Sequence, residues 1–193
     1  MTAVLGFITD TEMLLMADSA YHAGCRRVLD ALPKIFVHGA ALIGVAGSVR
    51  HGQIVQYHGP AIESDGKEAE PLRTLMAWVD DLRRCFHRHG YLGRDKDHQT
   101  ETLGEDEELL VAYAGTLWTI GTNFQVIRHG RGPSAIGCGT QAARAAMLAL
   151  LAREPSDFDY GLKVEALMIR AMEATATVDV DVAAPFVLVR MAR

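Results

Sequence analysis

Two pairs of apolar segments in the first forty-eight residues constrain the fold more than any other part of the sequence. Ala3–Thr9 and Met13–Ser19 are separated by a short polar turn, and Lys34–His38 and Ala41–Ala46 flank Gly39-Ala40. Each segment has the length of a strand and is almost continuously apolar, which is typical of strands buried on both faces. The sequence therefore predicts two β-hairpins, folded side by side, inside a layered protein.

Two charged residues stand at the ends of these apolar segments. The same number of residues separates Thr2 from Asp18 and Asp18 from Lys34. A charge at the end of a buried strand needs a partner, because an unpaired buried charge is strongly destabilising. We therefore predict that Asp18 and Lys34 neutralise each other close to the N-terminus.

Thr2 directly follows the initiator Met1, and a small second residue permits removal of that methionine. The mature chain then begins at Thr2 with a free α-amine. A threonine hydroxyl is a weak nucleophile until a base takes its proton, and an α-amine with a pKa of about 7.7–8.0 is a suitable base near neutral pH. One residue can therefore supply both the nucleophile and the base.

The spacing of Thr2, Asp18, Lys34 and Gly47 resembles the N-terminal half of a proteasome β-subunit, or of its bacterial relative that works with an unfoldase ATPase ring. The resemblance implies an N-terminal-nucleophile hydrolase of the threonine-peptidase type. In that reaction Thr2 Oγ attacks an amide carbonyl and its own amine carries the proton. Lys34 favours the deprotonated groups electrostatically, Asp18 fixes Lys34, and the Gly47 N–H stabilises the oxyanion.

The same resemblance implies a second part of the site, from which this chain departs. Cys138, between Gly137 and Gly139, stands where the family commonly has a Ser near the N-terminal amine, and a thiol is the weaker hydrogen-bonding group. Cys138 can equally be a small residue that fills a gap. Asp179 or Asp181 can supply the carboxylate that the family usually has before its last strand; Asp179 is favoured because it is nearer the preceding helix. No Ser follows either residue, so catalysis is expected to be slow, narrowly specific or absent.

The resemblance also implies a pocket for the substrate side chain that precedes the scissile bond. Its expected lining residues are Ala20, Tyr21, His22, Leu32, Val45 and Ser48. Packing within the loop is the alternative role for those between the two hairpins. The modest size of Val45 predicts a preference for apolar or medium-sized side chains.

The rest of the chain alternates between helical and strand patterns. Helices are predicted after an N-cap at Ser48 as far as Gly59-Pro60, over Pro71–His89, over Gln141–Arg153 with Thr140 as its cap, and over Asp159–Ala174. Strands are predicted over Glu108–Ala114, Leu117–Ile120, Phe124–Arg128 and Pro185–Met191, the first three as an antiparallel meander. Tyr21–Pro33 is expected to be irregular, and Tyr91–Asp106 a polar loop.

This order of elements predicts an α+β protein. Two antiparallel sheets packed face to face, with a helix layer on each outer side, satisfy it. That arrangement is the four-layer αββα sandwich of N-terminal-nucleophile hydrolases. We expect residues 1–193 to form a single domain, because no repeat or second domain is visible in the sequence.

Composition excludes several other classes of protein. A net charge of −5 argues against a nucleic-acid-binding surface, and the absence of an apolar run of about 20 residues argues against a membrane span. Three cysteines without paired spacing favour a reducing compartment, here the cytoplasm. The histidines have no metal-ligand spacing, so neither a metal nor another cofactor is predicted.

The sequence therefore predicts a cytoplasmic peptidase that hydrolyses peptides or unfolded proteins. The resemblance implies a homo-oligomeric ring and an ATPase unfoldase as a partner. Two alternatives stay open at this point: a small-molecule amidohydrolase on the same fold, and a non-catalytic structural subunit that retains Met1.

Overall fold

A computed structural model describes residues 2–23, 26–29, 33–63, 70–94, 101–155 and 160–193. Within these ranges there are thirteen strands and four helices. The strands are β1 (Ala3–Ile8), β2 (Glu12–Ala17), β3 (Ala20–Ala23), β4 (Arg26–Leu29), β5 (Ile35–His38), β6 (Ala41–Ala46), β7 (Gly93–Arg94), β8 (Glu101–Thr102), β9 (Glu108–Tyr113), β10 (Thr116–Ile120), β11 (Val126–Arg128), β12 (Ser134–Gly137) and β13 (Val187–Ala192). The helices are α1 (Val49–His58), α2 (Pro71–Arg88), α3 (Thr140–Leu151) and α4 (Tyr160–Val178).

Two antiparallel sheets form the centre of the molecule. One has the strand order β12-β1-β2-β13 and the other the order β11-β10-β9-β6-β5. In the central strands of both sheets, the side chains alternate between two buried environments. In β1, Ala3, Leu5 and Phe7 pack with α3 and α4, whereas Val4 packs against the opposite sheet. Burial on both faces explains why these strands are apolar almost without interruption.

The second sheet shows the same alternation. In β6, Ile43 and Val45 pack with α1 and α2, and Leu42 and Ala46 face the first sheet. Three apolar layers result: one beneath each helix pair and one between the sheets. The predicted α+β sandwich, with two antiparallel sheets between helix layers, is confirmed.

Both predicted N-terminal hairpins are present, with β1 paired to β2 and β5 paired to β6. The expectation of hairpins folded side by side left open whether they share one sheet or lie in two stacked sheets. Each belongs to a different sheet, and the two sheets stack face to face. Hydrophobicity on both faces of a strand is equally compatible with either arrangement, so sequence pattern alone could not distinguish them.

Four local predictions need correction. Residues 21–33, expected to be irregular, contain the antiparallel pair β3 and β4, and the predicted loop at 91–106 contains the short pair β7 and β8. Both pairs lie outside the two main sheets, so they lack the apolar pattern of a buried strand. Strand β12 was not predicted. The N-cap of α3 is Gly139 rather than Thr140, because the Thr140 hydroxyl donates to the Gly137 carbonyl instead.

The helices otherwise begin and end near their predicted residues. Ser48 caps α1 by accepting a hydrogen bond from the His51 N–H, and Pro71 is the first residue of α2. Helix α4 continues to Val178, beyond the predicted end at Ala174, and so brings Asp179 directly after a helix terminus. Among the described helices, none has both the length and the apolar character that crossing a bilayer requires.

Close approach of the two sheets provides a test of this packing. A Cβ atom added at Gly44 would lie 2.6 Å from Val4 Cγ1 in the opposite sheet. We expect Gly44→Ala to lower the free energy of unfolding by about 1–3 kcal/mol, because overpacking forces side chains or backbone to shift. Urea denaturation followed by circular dichroism measures this change.

Gly130→Ala is the matched control, because a Cβ added at Gly130 meets no atom within 4 Å. We expect that variant to unfold like the wild type. Equal stability of the two variants would contradict the packing described between β1 and β6.

Candidate active site

A buried ion pair joins the two main sheets at one end of the sandwich. Asp18 follows β2, Lys34 precedes β5, and Lys34 Nζ lies 2.9 Å from Asp18 Oδ1. The two side chains are 3% and 0% exposed for Lys34 and Asp18 respectively. The predicted pairing of these two residues is therefore present.

Backbone groups satisfy most of the remaining hydrogen-bonding capacity of the pair. Asp18 Oδ1 also accepts from the Ala3 N–H at 2.9 Å, and Oδ2 accepts from the Ala20 N–H at 2.9 Å. Lys34 Nζ donates to the Ala20 carbonyl at 2.6 Å. Because Ala3 is the neighbour of Thr2, the Asp18 carboxylate fixes the chain immediately after the predicted nucleophile.

The environment of Lys34 disfavours its charge. Burial lowers the pKa of Lys34, and attraction to Asp18 opposes that shift without cancelling it. The Tyr21 ring centroid lies 4.7 Å from Lys34 Nζ, within cation–π range. Burial and the nearby Asp18 raise the pKa of Tyr21 to about 12, so Tyr21 stays a neutral phenol beside the ammonium.

Thr2 and Lys34 line the same narrow pocket. Thr2 itself is 3% exposed, and Met1 lies outside the described residues. The other lining residues include four that the sequence singled out, Tyr21, Val45, Gly47 and Ser48. The tertiary structure thus brings together the ends of β1, β5 and β6 and the start of α1.

Other predicted pocket residues are placed differently. Ala20 is fully buried, and its backbone binds the ion pair. His22 belongs to β3, but its side chain lies outside the described part of the structure, as does the whole of Leu32.

Gly47 has a backbone conformation that requires glycine. Its φ angle is +107°, and an added Cβ would lie 2.6 Å from Glu107 Cγ. The residue directly follows β6, and α1 begins two positions later at Val49. The positive end of the α1 dipole is therefore beside the Gly47 amide, where it favours negative charge.

The predicted second part of the site lies on the other side of Thr2. Gly137 packs directly against the Thr2 carbonyl, and Cys138 Sγ donates to the same oxygen at 3.4 Å. Burial of the sulfur and its hydrogen bond with Asp179 raise the pKa of Cys138 to about 11, so the thiol stays protonated. The Cys138 residue as a whole is nevertheless exposed.

Asp179 and Asp181 both approach Cys138. Their carboxylate oxygens and the Cys138 sulfur lie within 4.8 Å of one another, a distance that a divalent cation can bridge. Two contacts already link these groups without one: the Asp181 N–H donates to Asp179 Oδ1 at 3.0 Å, and the Asp179 carboxylate shares the single Cys138 S–H with the Thr2 carbonyl. Asp179 is the carboxylate that makes this direct contact with the thiol.

A buried polar network beneath Gly47 was not predicted from the sequence. Glu107 accepts hydrogen bonds from the Tyr91 hydroxyl and, at 2.8 Å, from the Gly104 N–H. Although burial acts to raise the pKa of Glu107, these hydrogen bonds outweigh it and lower the pKa. The Tyr91 hydroxyl also hydrogen-bonds with Ser48, which links this network to the cap of α1.

His51 completes the network from the opposite side. It is fully buried, its ring stacks on Phe86 with centroids 5.3 Å apart, and its Nδ1 lies 3.2 Å from the Ala46 carbonyl. A signal for its burial was present in the sequence, since residues 51, 54 and 55 follow helical spacing. No comparable signal connected it with Tyr91 or Glu107.

A wider cavity of about 490 Å³ opens on the other side of Gly47. Thr2, Gly47, Glu107, Glu108 and Cys138 all contribute to its lining. The nucleophile candidate thus stands between a narrow pocket and a wider groove, an arrangement that can hold an extended substrate on both sides of a reacting bond.

No family model matches the sequence, and no curated protein matches it either. Comparison of the fold with solved structures is more informative. BPH from Thiobacillus denitrificans, solved in complex with epoxomicin, has a TM-score of 0.77 at 18% identity over 98% of both chains. The fold is that of a proteasome-like subunit.

Two further solved structures share this proteasome-like fold. Eukaryotic HslV from Trypanosoma brucei has a TM-score of 0.66 at 20% identity over 99% of both chains. The Anbu subunit from Pseudomonas aeruginosa has a TM-score of 0.65 at 12% identity, over 98% of this chain and 81% of that one. The resemblance stated from the first forty-eight residues is confirmed at the level of the fold, which is that of the N-terminal-nucleophile hydrolase sandwich.

The ion pair at the centre of the site gives a stability prediction. Lys34→Met leaves the Asp18 carboxylate buried without a cation, which costs about 3–5 kcal/mol of unfolding free energy. Adding Asp18→Asn to that variant removes the stranded charge, so the double variant should lose less than the sum of the two single changes. Chemical denaturation of the four proteins measures the coupling.

Arg84→Ala is the control, because the Arg84–Asp81 ion pair is exposed and such pairs contribute about 0–1 kcal/mol. A loss for Lys34→Met no larger than that of this control would contradict a buried, charged pair.

Proposed function

We propose that this chain is a threonine-type peptidase whose nucleophile is Thr2 after removal of Met1. The observation that carries the proposal is the buried Asp18–Lys34 pair. Asp18 fixes the residue after Thr2, and Lys34 lines one pocket with Thr2 and Gly47. A salt-linked lysine in that position has no packing advantage over an apolar residue, since buried ion pairs rarely increase stability. A chemical use in the pocket that Lys34 shares with Thr2 accounts for it better.

In the proposed reaction the Thr2 α-amine takes the proton from Oγ as Oγ forms a bond to the carbonyl carbon of the substrate. The carbonyl oxygen becomes an oxyanion and accepts a hydrogen bond from the Gly47 N–H, a contact worth roughly 3–4 kcal/mol of barrier. The ammonium then gives its proton to the leaving amine as the C–N bond breaks. The acyl group remains as an ester on Thr2.

A water molecule completes the cycle. The α-amine removes one proton from the water, whose oxygen attacks the ester carbonyl, and the proton returns to Oγ as the C–O bond breaks. The Lys34 ammonium favours the alkoxide and the neutral amine electrostatically in both halves of the reaction. Asp179 and Cys138 support the Thr2 backbone through the Cys138 contact to the Thr2 carbonyl.

Assembly into a homo-oligomer and a cytoplasmic site of action belong to the same proposal. The Anbu complex from Pseudomonas aeruginosa forms a helical assembly, and a ring is the arrangement that the family resemblance implies for this chain. Two described cysteines, Cys85 and Cys138, are free thiols, as expected in a reducing compartment. An ATPase unfoldase that delivers unfolded protein substrates remains the partner expected from the resemblance.

One observation favours a second candidate, a non-catalytic subunit. Thr2 is 3% exposed, and its nitrogen belongs to a peptide bond as long as Met1 is present, so the hydroxyl has its base only after Met1 is removed. Intact-mass spectrometry of the purified protein distinguishes the two: a mature chain that begins at Met1 belongs to the non-catalytic subunit, and one that begins at Thr2 belongs to the peptidase.

Replacing the nucleophile tests the proposal directly. Thr2→Ala removes the hydroxyl and should reduce turnover of a fluorogenic peptide library by more than about three orders of magnitude, while circular dichroism and assembly stay unchanged. Thr2→Ser keeps a hydroxyl and should retain measurable turnover.

Covalent labelling adds a measurement that is independent of turnover. Epoxomicin is bound in the solved BPH structure, and an epoxyketone needs both a hydroxyl and a free amine on one residue to form its ring adduct. Peptide mapping should locate the adduct on Thr2. Unchanged turnover in Thr2→Ala would remove Thr2 from the mechanism, and turnover of simple amides without any of peptides would assign the site to a small-molecule amidohydrolase.

A second prediction concerns Cys138. Cys138→Ser exchanges a weak hydrogen-bonding group for a stronger one beside the Thr2 carbonyl, so we expect about a five-fold increase in kcat, corresponding to about 1 kcal/mol. Cys138→Ala should change kcat in the opposite direction. Steady-state kinetics on one peptide compares the three proteins; equal rates would show that the thiol only fills space.

A further inference from the structure

His51 contacts both neighbours of Gly47 in the chain. The His51 backbone N–H donates to Ser48 Oγ at 3.1 Å, and its ring Nδ1 lies 3.2 Å from the Ala46 carbonyl oxygen. A carbonyl oxygen can only accept, so Nδ1 carries the proton and donates it. His51 therefore contacts the residues immediately before and after Gly47.

The contact with the Ala46 carbonyl determines the direction of the Gly47 N–H. A peptide group is planar and trans, so the C=O of Ala46 and the N–H of Gly47 lie in one plane and point in opposite directions. A hydrogen bond that fixes the carbonyl also fixes the N–H. It polarises the same peptide group as well, which makes that N–H a stronger donor.

The His51 ring is itself held in a single position. It is fully buried, and it stacks on Phe86 with ring planes 24° apart and lies 6.4 Å from the Tyr91 ring, centroid to centroid. Burial lowers the pKa of His51, so the ring stays neutral with one proton. Among the described residues, Nε2 has no hydrogen-bond partner, which leaves the Ala46 carbonyl as the polar contact of the ring.

Glu107 restricts the opposite side of Gly47. Its Cγ occupies the space where a Cβ of residue 47 would lie, and its carboxylate is tied to Tyr91 and the Gly104 N–H. Gly47 therefore stands between a histidine that orients its peptide group and a glutamate that blocks movement away from it.

We infer that His51 is a positioning residue for the oxyanion donor, orienting and polarising the Ala46–Gly47 peptide group through its Nδ1–H. The inference rests on the proposed function, because it assigns His51 to the step in which the Gly47 N–H donates a hydrogen bond to the oxyanion formed from the substrate carbonyl. His51 acts only through that peptide group and does not contact the substrate.

Two substitutions separate the hydrogen bond from the packing of the ring. His51→Phe keeps an aromatic ring against Phe86 but has no donor. His51→Asn keeps an N–H donor on the atom bonded to Cγ but loses the ring. We expect His51→Phe to lower kcat about 10- to 100-fold and to leave KM within about threefold of the wild type. A misdirected N–H donor loses part of the transition-state stabilisation that is lost entirely when the donor is deleted. His51→Asn should keep kcat within about fivefold of the wild type.

A purely structural role predicts the reverse order, since Phe preserves the packing and Asn does not. His129→Phe is the matched control at the opposite end of the sandwich, where the His129 ring bonds with Thr119, and its kinetics should equal those of the wild type. Thermal unfolding of all variants reports their stability separately from kcat.

A pair of inhibitors then isolates the oxyanion step. A peptide boronate forms a tetrahedral adduct whose oxygen takes the position of the oxyanion, whereas a peptide vinyl sulfone accepts Thr2 Oγ at carbon and forms no oxyanion. We expect His51→Phe to weaken the boronate about tenfold and to leave the vinyl sulfone inactivation rate within about twofold. In the wild-type protein, nitrogen NMR should report a neutral His51 ring protonated on Nδ1.

The outcomes separate the two levels of the proposal. A wild-type protein that neither cleaves peptides nor binds the boronate overturns the proposed function, and the role of His51 with it. If the wild type is active, any one of three results overturns the role of His51 but not the proposed function. These results are wild-type kcat and boronate affinity in His51→Phe, a greater loss of activity in His51→Asn than in His51→Phe, and a ring protonated on Nε2.

Discussion

The Asp18–Lys34 ion pair is the interaction on which the geometry of the site depends. Removing two charges from water costs several kcal/mol for each ion, and only close pairing with additional hydrogen bonds compensates. Here the compensation comes from the backbone of Ala3 and Ala20. One ion pair thereby ties together the start of β1, the end of β2, the start of β3 and the residue before β5. Because β2 and β5 belong to different sheets, the pair also fixes the two sheets relative to each other beside Thr2.

The layered core provides the rigidity that such a pair requires. The central strands β1, β2, β6 and β9 are covered on both faces, by a helix pair on one side and by the other sheet on the opposite side. Side chains in such a core have little freedom to move, since protein interiors are packed as densely as organic crystals. The buried polar side chains described near the site are hydrogen-bonded, and His51 Nε2 is the one buried side-chain nitrogen or oxygen among the described residues that has no partner. A charge or dipole placed in that environment keeps its direction, as electrostatic stabilisation of a transition state demands.

The residues of the site were predictable to different degrees. Thr2, Asp18, Lys34 and Gly47 could be found because they lie within one short stretch, at the ends of segments whose apolar character is unmistakable. Cys138 and Asp179 were reached only through the family resemblance, and the contact between them is a property of the folded chain. His51, Tyr91 and Glu107 escaped prediction altogether. They come from a helix, the segment after a helix and the residue before a strand, and no local pattern relates three such positions.

By itself the sequence determined the two N-terminal hairpins, the four helices and the presence of a charged pair among buried strands. These features depend on local periodicity and on the cost of burying a charge, both of which can be read from neighbouring residues. Only the tertiary structure decided that the hairpins belong to opposite sheets and that Gly47 lies between His51 and Glu107. The physical reason is that a strand apolar on both faces can be covered by many partners, whereas a hydrogen bond between distant residues exists in only one arrangement of the chain.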